Sequence, residues 1–306
     1  MTRSRPFSWP RLFLISLIVV GATGHDMSGA AEGETPSTMQ RPFIVFDATL
    51  YKNKPSFSDY PVLRPITVLY EWPLFLTGQS SAALPSEQRV RSAVKDLREA
   101  SDPVVLDIER WPLKGDAQAV KTSVGKLLMV LSWIKQEMPS AKIGTYGTVP
   151  LPDYWRAIRG RTNAEFQAWQ RDNDRLDELL PSMDALYPSI YTFYSDRQGW
   201  VTYAIAQIEE ARRKANGKPV YAFLWPQYHE SNYLIGLKPI EPDYWELQLN
   251  TVSQYADGVV IWGGWGKHEP EPWNEDAPWW QVTKRFMNRI DIDRVAPSGP
   301  SSLKAQ

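Results

Sequence analysis

The chain repeats one theme, a short apolar run followed by a longer stretch with helical spacing. The runs are FIVFDA (43–48), ITVLYE (66–71), PVVLDIE (103–109), KIGTYG (142–147), ALYPSIY (185–191), PVYAFLW (219–225) and GVVIWGGW (258–265). Their length suits strands buried on both faces better than it suits helices. Helical patterns fill 86–100, 117–137 and 202–217, the last stopped by Gly217. In 232–256, Pro239 and Pro242 delay the expected helix start to Asp243. Strand-then-helix order implies a parallel sheet wrapped by helices, and seven units without a midway break favour a closed barrel. The expected fold is α/β: a single distorted (β/α) TIM-like barrel with about seven parallel strands.

The ends read differently from the middle. Residues 1–31 have the form of an export signal, with Arg3, Arg5 and Arg11 ahead of an apolar run from Leu12 to Ala22, and cleavage is expected after Ala22 or Ala31. The other reading, an uncleaved anchor, needs a longer apolar run than this one. Residues 32–40 read as a flexible leader, 41–292 as the barrel domain, and 293–306 as a disordered tail. No cysteine occurs, which excludes disulfides, a thiol nucleophile and a cysteine-anchored lipoprotein. At 306 residues and 43% hydrophobic composition, core burial suffices instead. The expected location is the periplasm or the cell exterior. With 34 basic and 35 acidic residues and no basic stripe, nucleic acid is not an expected partner; neither is a stable membrane partner. The sequence sets no oligomeric state.

The run VVLDIERWP (104–112) ends in two acids. Alternation along a strand puts Val105, Asp107 and Glu109 on one face and Val104, Leu106 and Ile108 on the other. If the apolar set meets the helices, the acids face the barrel's C-terminal mouth, where barrel enzymes keep their chemistry. Two close carboxylates cannot both ionise freely, so one is expected to hold a proton near neutral pH. A protonated Glu109 beside an ionised Asp107 suits acid-catalysed glycoside cleavage. The same triplet also fits an ordinary strand end, with one acid capping a helix or pairing Arg110.

Aromatic residues end the other runs: Tyr146; Tyr187 and Tyr191, on one face with Ser189; Trp262 and Trp265. In a barrel these rings converge on the same rim, where flat sugar faces pack on aromatic side chains and phenols donate hydrogen bonds. Most of the 14 Trp and 14 Tyr serve packing. By the same alternation Asp47 shares a face with Val45, which is expected to point inward. Asp47 and Glu71 are the candidates for a further pocket carboxylate. His25, His229 and His268 lie too far apart in sequence to suggest a metal site or a Ser-His-Asp triad. No Gly-rich nucleotide loop occurs, and no metal or cofactor is expected.

MDALYPSIY (183–191), KPVYAF and YADGVVIWGGW together resemble the second half of hyaluronidase-type glycoside hydrolases. The family's Asp-x-Glu-x-Trp strand is matched by Asp107, Glu109 and Trp111, its Tyr-Gly turn by Tyr146-Gly147, and its first strand by IVFDA. The chain thus looks like a cysteine-free, bacterial-like relative. The resemblance implies a distorted seven-stranded barrel, with Glu109 as general acid and then base. Asp107 would orient and stabilise the substrate's acetamido group, whose oxygen acts as internal nucleophile, so that the reaction retains configuration. It further implies substrate contacts from Tyr146, Tyr191, Trp262 and Trp111; Tyr187 and Asp47 complete the expected binding set. Ile108 stands where the family has Trp, and Pro112 lacks the family's preceding Arg, the residue associated with an acidic polysaccharide. The expected function is an exported glycosidase of polysaccharides or oligosaccharides containing N-acetylhexosamine, hyaluronan-like. The alternatives are a non-catalytic carbohydrate-binding barrel and a glycosidase of another substrate class.

Overall fold

The computed structural model describes residues 42–97, 103–266 and 269–295. The expected signal, leader and most of the expected tail lie outside the described residues. Strands β1 (Ile44–Thr49), β2 (Leu63–Pro65), β3 (Thr67–Tyr70), β4 (Val104–Asp107), β5 (Ile143–Thr145), β6 (Tyr221–Leu224) and β7 (Gly258–Gly263) all pair in parallel. They form two ladders, in the orders β2-β1-β7-β6 and β3-β4-β5. β2 and β3 are two halves of one strand, interrupted at Ile66, so one join between the ladders is covalent. At the other join the expected strand 185–191 is not a regular strand. It is held by isolated bridges, Tyr146 to Tyr187 on one side and Leu186 to Val220 and Ser189 to Phe223 on the other. Pro188, which has no N–H, breaks the ladder there.

Outside the strands lie α1 (Glu87–Lys95), α2 (Ala117–Glu137), α3 (Tyr154–Ala157), α4 (Ala164–Asp174), α5 (Arg197–Ala215), α6 (Pro242–Tyr255) and α7 (Pro278–Val295). α2 has the expected bounds and is capped by Asp116, which accepts from the Ala119 N–H at 2.8 Å. α5 starts five residues before the expected helix, at the Asp196 cap, and ends where Asn216 and then Gly217 take positive φ. α6 starts at Pro242 rather than Asp243, because a proline at the first helical position loses no bond. α7 carries helix to Val295, past the expected domain end at 292.

Two apolar clusters follow strand alternation. Val45, Leu69, Val104, Leu106, Ile108, Ile143, Ala222, Leu224, Val259 and Ile261 join the helices in the outer core. Phe46, Ala48, Ile66, Val105, Tyr187, Phe223 and Val260 fill the barrel. Two α5 side chains cover carbonyls of the irregular segment: Trp200 Nε1 donates to Ile190 O at 2.9 Å and the Tyr203 hydroxyl to Ser189 O at 3.0 Å. The helix layer thus supplies what the interrupted ladder does not.

Gly144 leaves room for the buried Tyr187 ring. A Cβ there would overlap that ring and lie 2.7 Å from Ala185 O, backbone that cannot swing away. Gly144→Ala is expected to cost about 1–3 kcal/mol or more, measured by urea unfolding, because the added methyl wedges β5 away from the irregular segment.

Candidate active site

The acid pair sits where β4 ends. Asp107, in register with Tyr70 of β3, follows the inward face of Val105 and is half-buried. Ile108 turns outward into the helix-facing core at 7% exposure, and Glu109 reaches the rim just past the strand. Glu71, which follows β3, fixes this turn. Its Oε2 accepts from the Glu109 N–H at 3.3 Å and its Oε1 from Arg110 Nη2 at 3.1 Å. The Arg110 guanidinium lies 3.6 Å from the centroid of the Phe75 ring. Both Glu71 oxygens are therefore engaged in orienting the turn.

Burial pushes Asp107 from the ordinary 3.8 up to about 8, with repulsion from Glu109 and Glu71 adding to it. Glu109 is also raised: the protein packed around its carboxyl acts first, then repulsion from Glu71 and Glu230. The two acids titrate as a coupled group that holds a proton at neutral pH. The shared proton belongs to the pair, and burial, which depends on tertiary packing, is the largest cause of the shift on both acids.

An aromatic wall stands beside the pair. Tyr191 stacks on Trp262 at 6.0 Å between centroids, Trp225 meets Trp262 edge-on at 4.8 Å, and Tyr146 lies 5.8 Å from Tyr191. Trp262 Nε1 donates to the Tyr70 hydroxyl at 2.8 Å, and the Tyr146 hydroxyl shares a 2.9 Å hydrogen bond with Ser189 Oγ. Burial raises all three phenols, Tyr70 to about 12 and Tyr146 and Tyr191 well above the usual range. The carboxylates add to this: Asp107 acts on all three and Glu109 on Tyr146. The phenols stay neutral donors at pH 7. His229 packs against Phe193 at 4.8 Å and near Tyr191; burial lowers its pKa, with Glu230 opposing, so it is neutral as well.

The structure thus brings Asp107, Glu109, Tyr146, Tyr191 and Trp262 together. Three expected site residues lie elsewhere. Trp111 is 3% exposed in the outer core, edge-on to Phe75, with Nε1 donating to Ala83 O at 3.1 Å; it supports the acid turn from behind. Tyr187 is fully buried inside the barrel, one step below the mouth. Asp47 faces outward with Val45, bound to Lys54 Nζ at 2.6 Å and to the Thr49 hydroxyl at 2.6 Å. The inward face of β1 belongs to Phe46 and Ala48. Tyr70, Trp225 and Ser189 were absent from the expected set, although period-two alternation from Val68, Phe223 and Tyr187 points to each. A cleft of about 380 Å³, lined by Tyr51, Gln227, Glu241, Glu271 and Trp279, lies among the loops after β1, β6 and β7 and holds neither acid of the pair.

No family model matches the chain, and no curated protein does. Solved structures share its fold. A monoclinic crystal structure of bee venom hyaluronidase is 17% identical, matching 81% of this chain and 97% of that one with a TM-score of 0.55. That protein in complex with a hyaluronic acid tetramer is also 17% identical, matching 81% and 96% with a TM-score of 0.52. The chain has the α/β barrel fold found among glycoside hydrolases.

Two outcomes follow from this geometry. Asp107 holds a proton in the folded chain up to about 8, whereas the unfolded chain releases it near 3.8. Its contribution is therefore fully present below pH 3.8 and lost as pH rises toward 8, by at most about 1.4 kcal/mol per unit. Asp107→Asn is expected to flatten that decline and to be more stable than the parent at pH 9, as read by urea unfolding across pH. Asp47→Ala is expected to lower stability through the lost Lys54 pair, as read by urea unfolding.

Proposed function

We propose that the chain is an exported, retaining glycoside hydrolase of polysaccharides or oligosaccharides containing N-acetylhexosamine, with Glu109 as general acid and base. One observation carries this reading: a desolvated, proton-holding Asp107 beside Glu109 at the C-terminal mouth of a barrel, next to neutral phenols and stacked rings. The shared fold with bee venom hyaluronidase supports it, as does the resemblance of the Asp-x-Glu-x-Trp strand. Export rests on the basic and apolar pattern of residues 1–31.

In the productive complex the pair's proton resides on Glu109 and Asp107 is ionised. Glu109 passes the proton to the leaving glycosidic oxygen as the bond from that oxygen to the anomeric carbon breaks. The acetamido carbonyl oxygen closes onto the anomeric carbon, and Asp107 accepts from the acetamido N–H and offsets the positive charge of the resulting oxazolinium ring. Glu109, now a carboxylate, takes a proton from water as that water opens the ring at the anomeric carbon. Two inversions give net retention. Tyr146 and Tyr191 supply neutral donors beside the reacting sugar, and Trp262 presents a flat apolar face to it. Both Glu71 oxygens are already hydrogen-bonded, which leaves it the role of orienting Glu109 rather than attacking carbon.

Reducing-end release from hyaluronan, chondroitin and chitin oligosaccharides tests the reading. The purified chain is expected to cleave at least one of them with the product anomer retained. Glu109→Gln should lose about 10²–10⁴-fold in kcat. Turnover that survives this substitution would move the acid elsewhere. Sugar binding without turnover in either protein would replace the hydrolase with a carbohydrate-binding barrel.

A further inference from the structure

The charge around the site narrows the substrate class, given the reading of the site as a glycosidase centre. Asp107, Glu109, Glu71 and Glu230 are close enough to act on one another: Glu71 and Glu109 on Asp107, and Glu71 and Glu230 on Glu109. The cation next to the pair, Arg110, is already committed. Its Nη2 donates to Glu71, and its guanidinium face lies on the Phe75 ring, which also holds it against Trp111 through the edge contact of the two rings. Three cations on the loops at this end of the barrel, Lys54, Lys52 and Arg197, are engaged by acids other than the pair. Lys54 is bound on the outer face of β1 to Asp47 and to the Thr49 carbonyl, Lys52 to Glu269 at 2.7 Å, and Arg197 to both oxygens of Asp243 at 2.6 and 3.0 Å.

Exposed rings give this rim an apolar, uncharged character beyond the acids. Trp155, 56% exposed on α3 after β5, and Tyr194, 37% exposed on the loop after the irregular segment, sit 5.4 Å apart. Trp265 is 45% exposed on the loop after β7. Sugar C–H faces pack on such rings whatever the charge of the sugar, but a carboxylate on the sugar is repelled by the acids.

We infer that the site selects an uncharged N-acetylhexosamine chain, of the chitin oligosaccharide kind, over a chain carrying a uronate beside the reacting sugar. Arg110 cannot turn to a uronate without giving up both Glu71 and the Phe75 face. A substrate carboxylate near the pair therefore adds a like charge beside acids that, even with one shared proton and the Arg110–Glu71 pair, keep a net negative charge.

The test separates selectivity from catalysis. Glu109→Gln, in which turnover is slowed, is titrated with a neutral chitin tetrasaccharide and with a hyaluronan tetrasaccharide, and the parent chain is assayed for turnover on both. At low salt the neutral tetramer should bind on the order of tenfold more tightly, and the gap should close as salt screens the wall. Adding Glu230→Gln, at an exposed position, should narrow the gap as well. Equal or tighter binding of hyaluronan, a gap indifferent to both salt and Glu230, or failure to bind either tetramer would each overturn the inference. Neutral preference without turnover of the neutral chain by the parent would leave the selectivity standing and remove the hydrolase reading instead.

Discussion

A carboxylate placed on the inward face of a barrel strand is costly to ionise, and Asp107 is such a group. Its strand neighbour on that face is Val105, which is fully buried, and the nearby charges on which its pKa depends are acids. The group meets this by keeping a proton. The remaining mouth is consistent with that choice: phenols held neutral by burial, an indole donating to one of them, and a neutral imidazole. A site built this way holds a proton at its mouth, with Glu109 at the rim.

Support for the acids comes from behind the barrel wall. Ile108 is anchored in the outer core between the two acids, and Trp111 is buried one turn further on with its indole N–H satisfied by Ala83. Glu71 then ties the Glu109 backbone and Arg110 together. The Asp-x-Glu-x-Trp spacing thus has a mechanical meaning: alternate residues point to the mouth, and the intervening apolar side chain and the tryptophan lock the turn into the helix-facing core. Orientation of this sort limits the ways the Glu109 carboxyl can swing.

Much of this was legible in the chain itself. Short apolar runs separated by helical stretches led to a parallel barrel because a long crossover, usually a helix, is needed to carry a strand back to a parallel neighbour. The bounds of α2 were readable to the residue, since Asp116 supplies a cap and the apolar spacing persists to Ile134. The segment 185–191 read as a strand from composition, yet Pro188 leaves it with isolated bridges, and the α5 residues Trp200 and Tyr203 complete its hydrogen bonding from far along the chain. Neither partner is signalled by anything within the segment.

The clearest limit lies in two aspartates with similar surroundings. Asp47 in IVFDA and Asp107 in VVLDIE each close an apolar run, and each is two residues beyond a valine. The sequence determined that both runs are strands buried on both sides, and that side chains within each alternate. It did not determine which set faces in, because a strand apolar on both faces carries no hydrophobic contrast to orient it. The packing of Phe46 and Ala48 inside and Val45 outside turned Asp47 toward Lys54, while Val105 inside turned Asp107 toward the mouth. Parity, and with it which acid is desolvated, belongs to the tertiary structure, because it is fixed by how neighbouring strands and helices fill the space on either side.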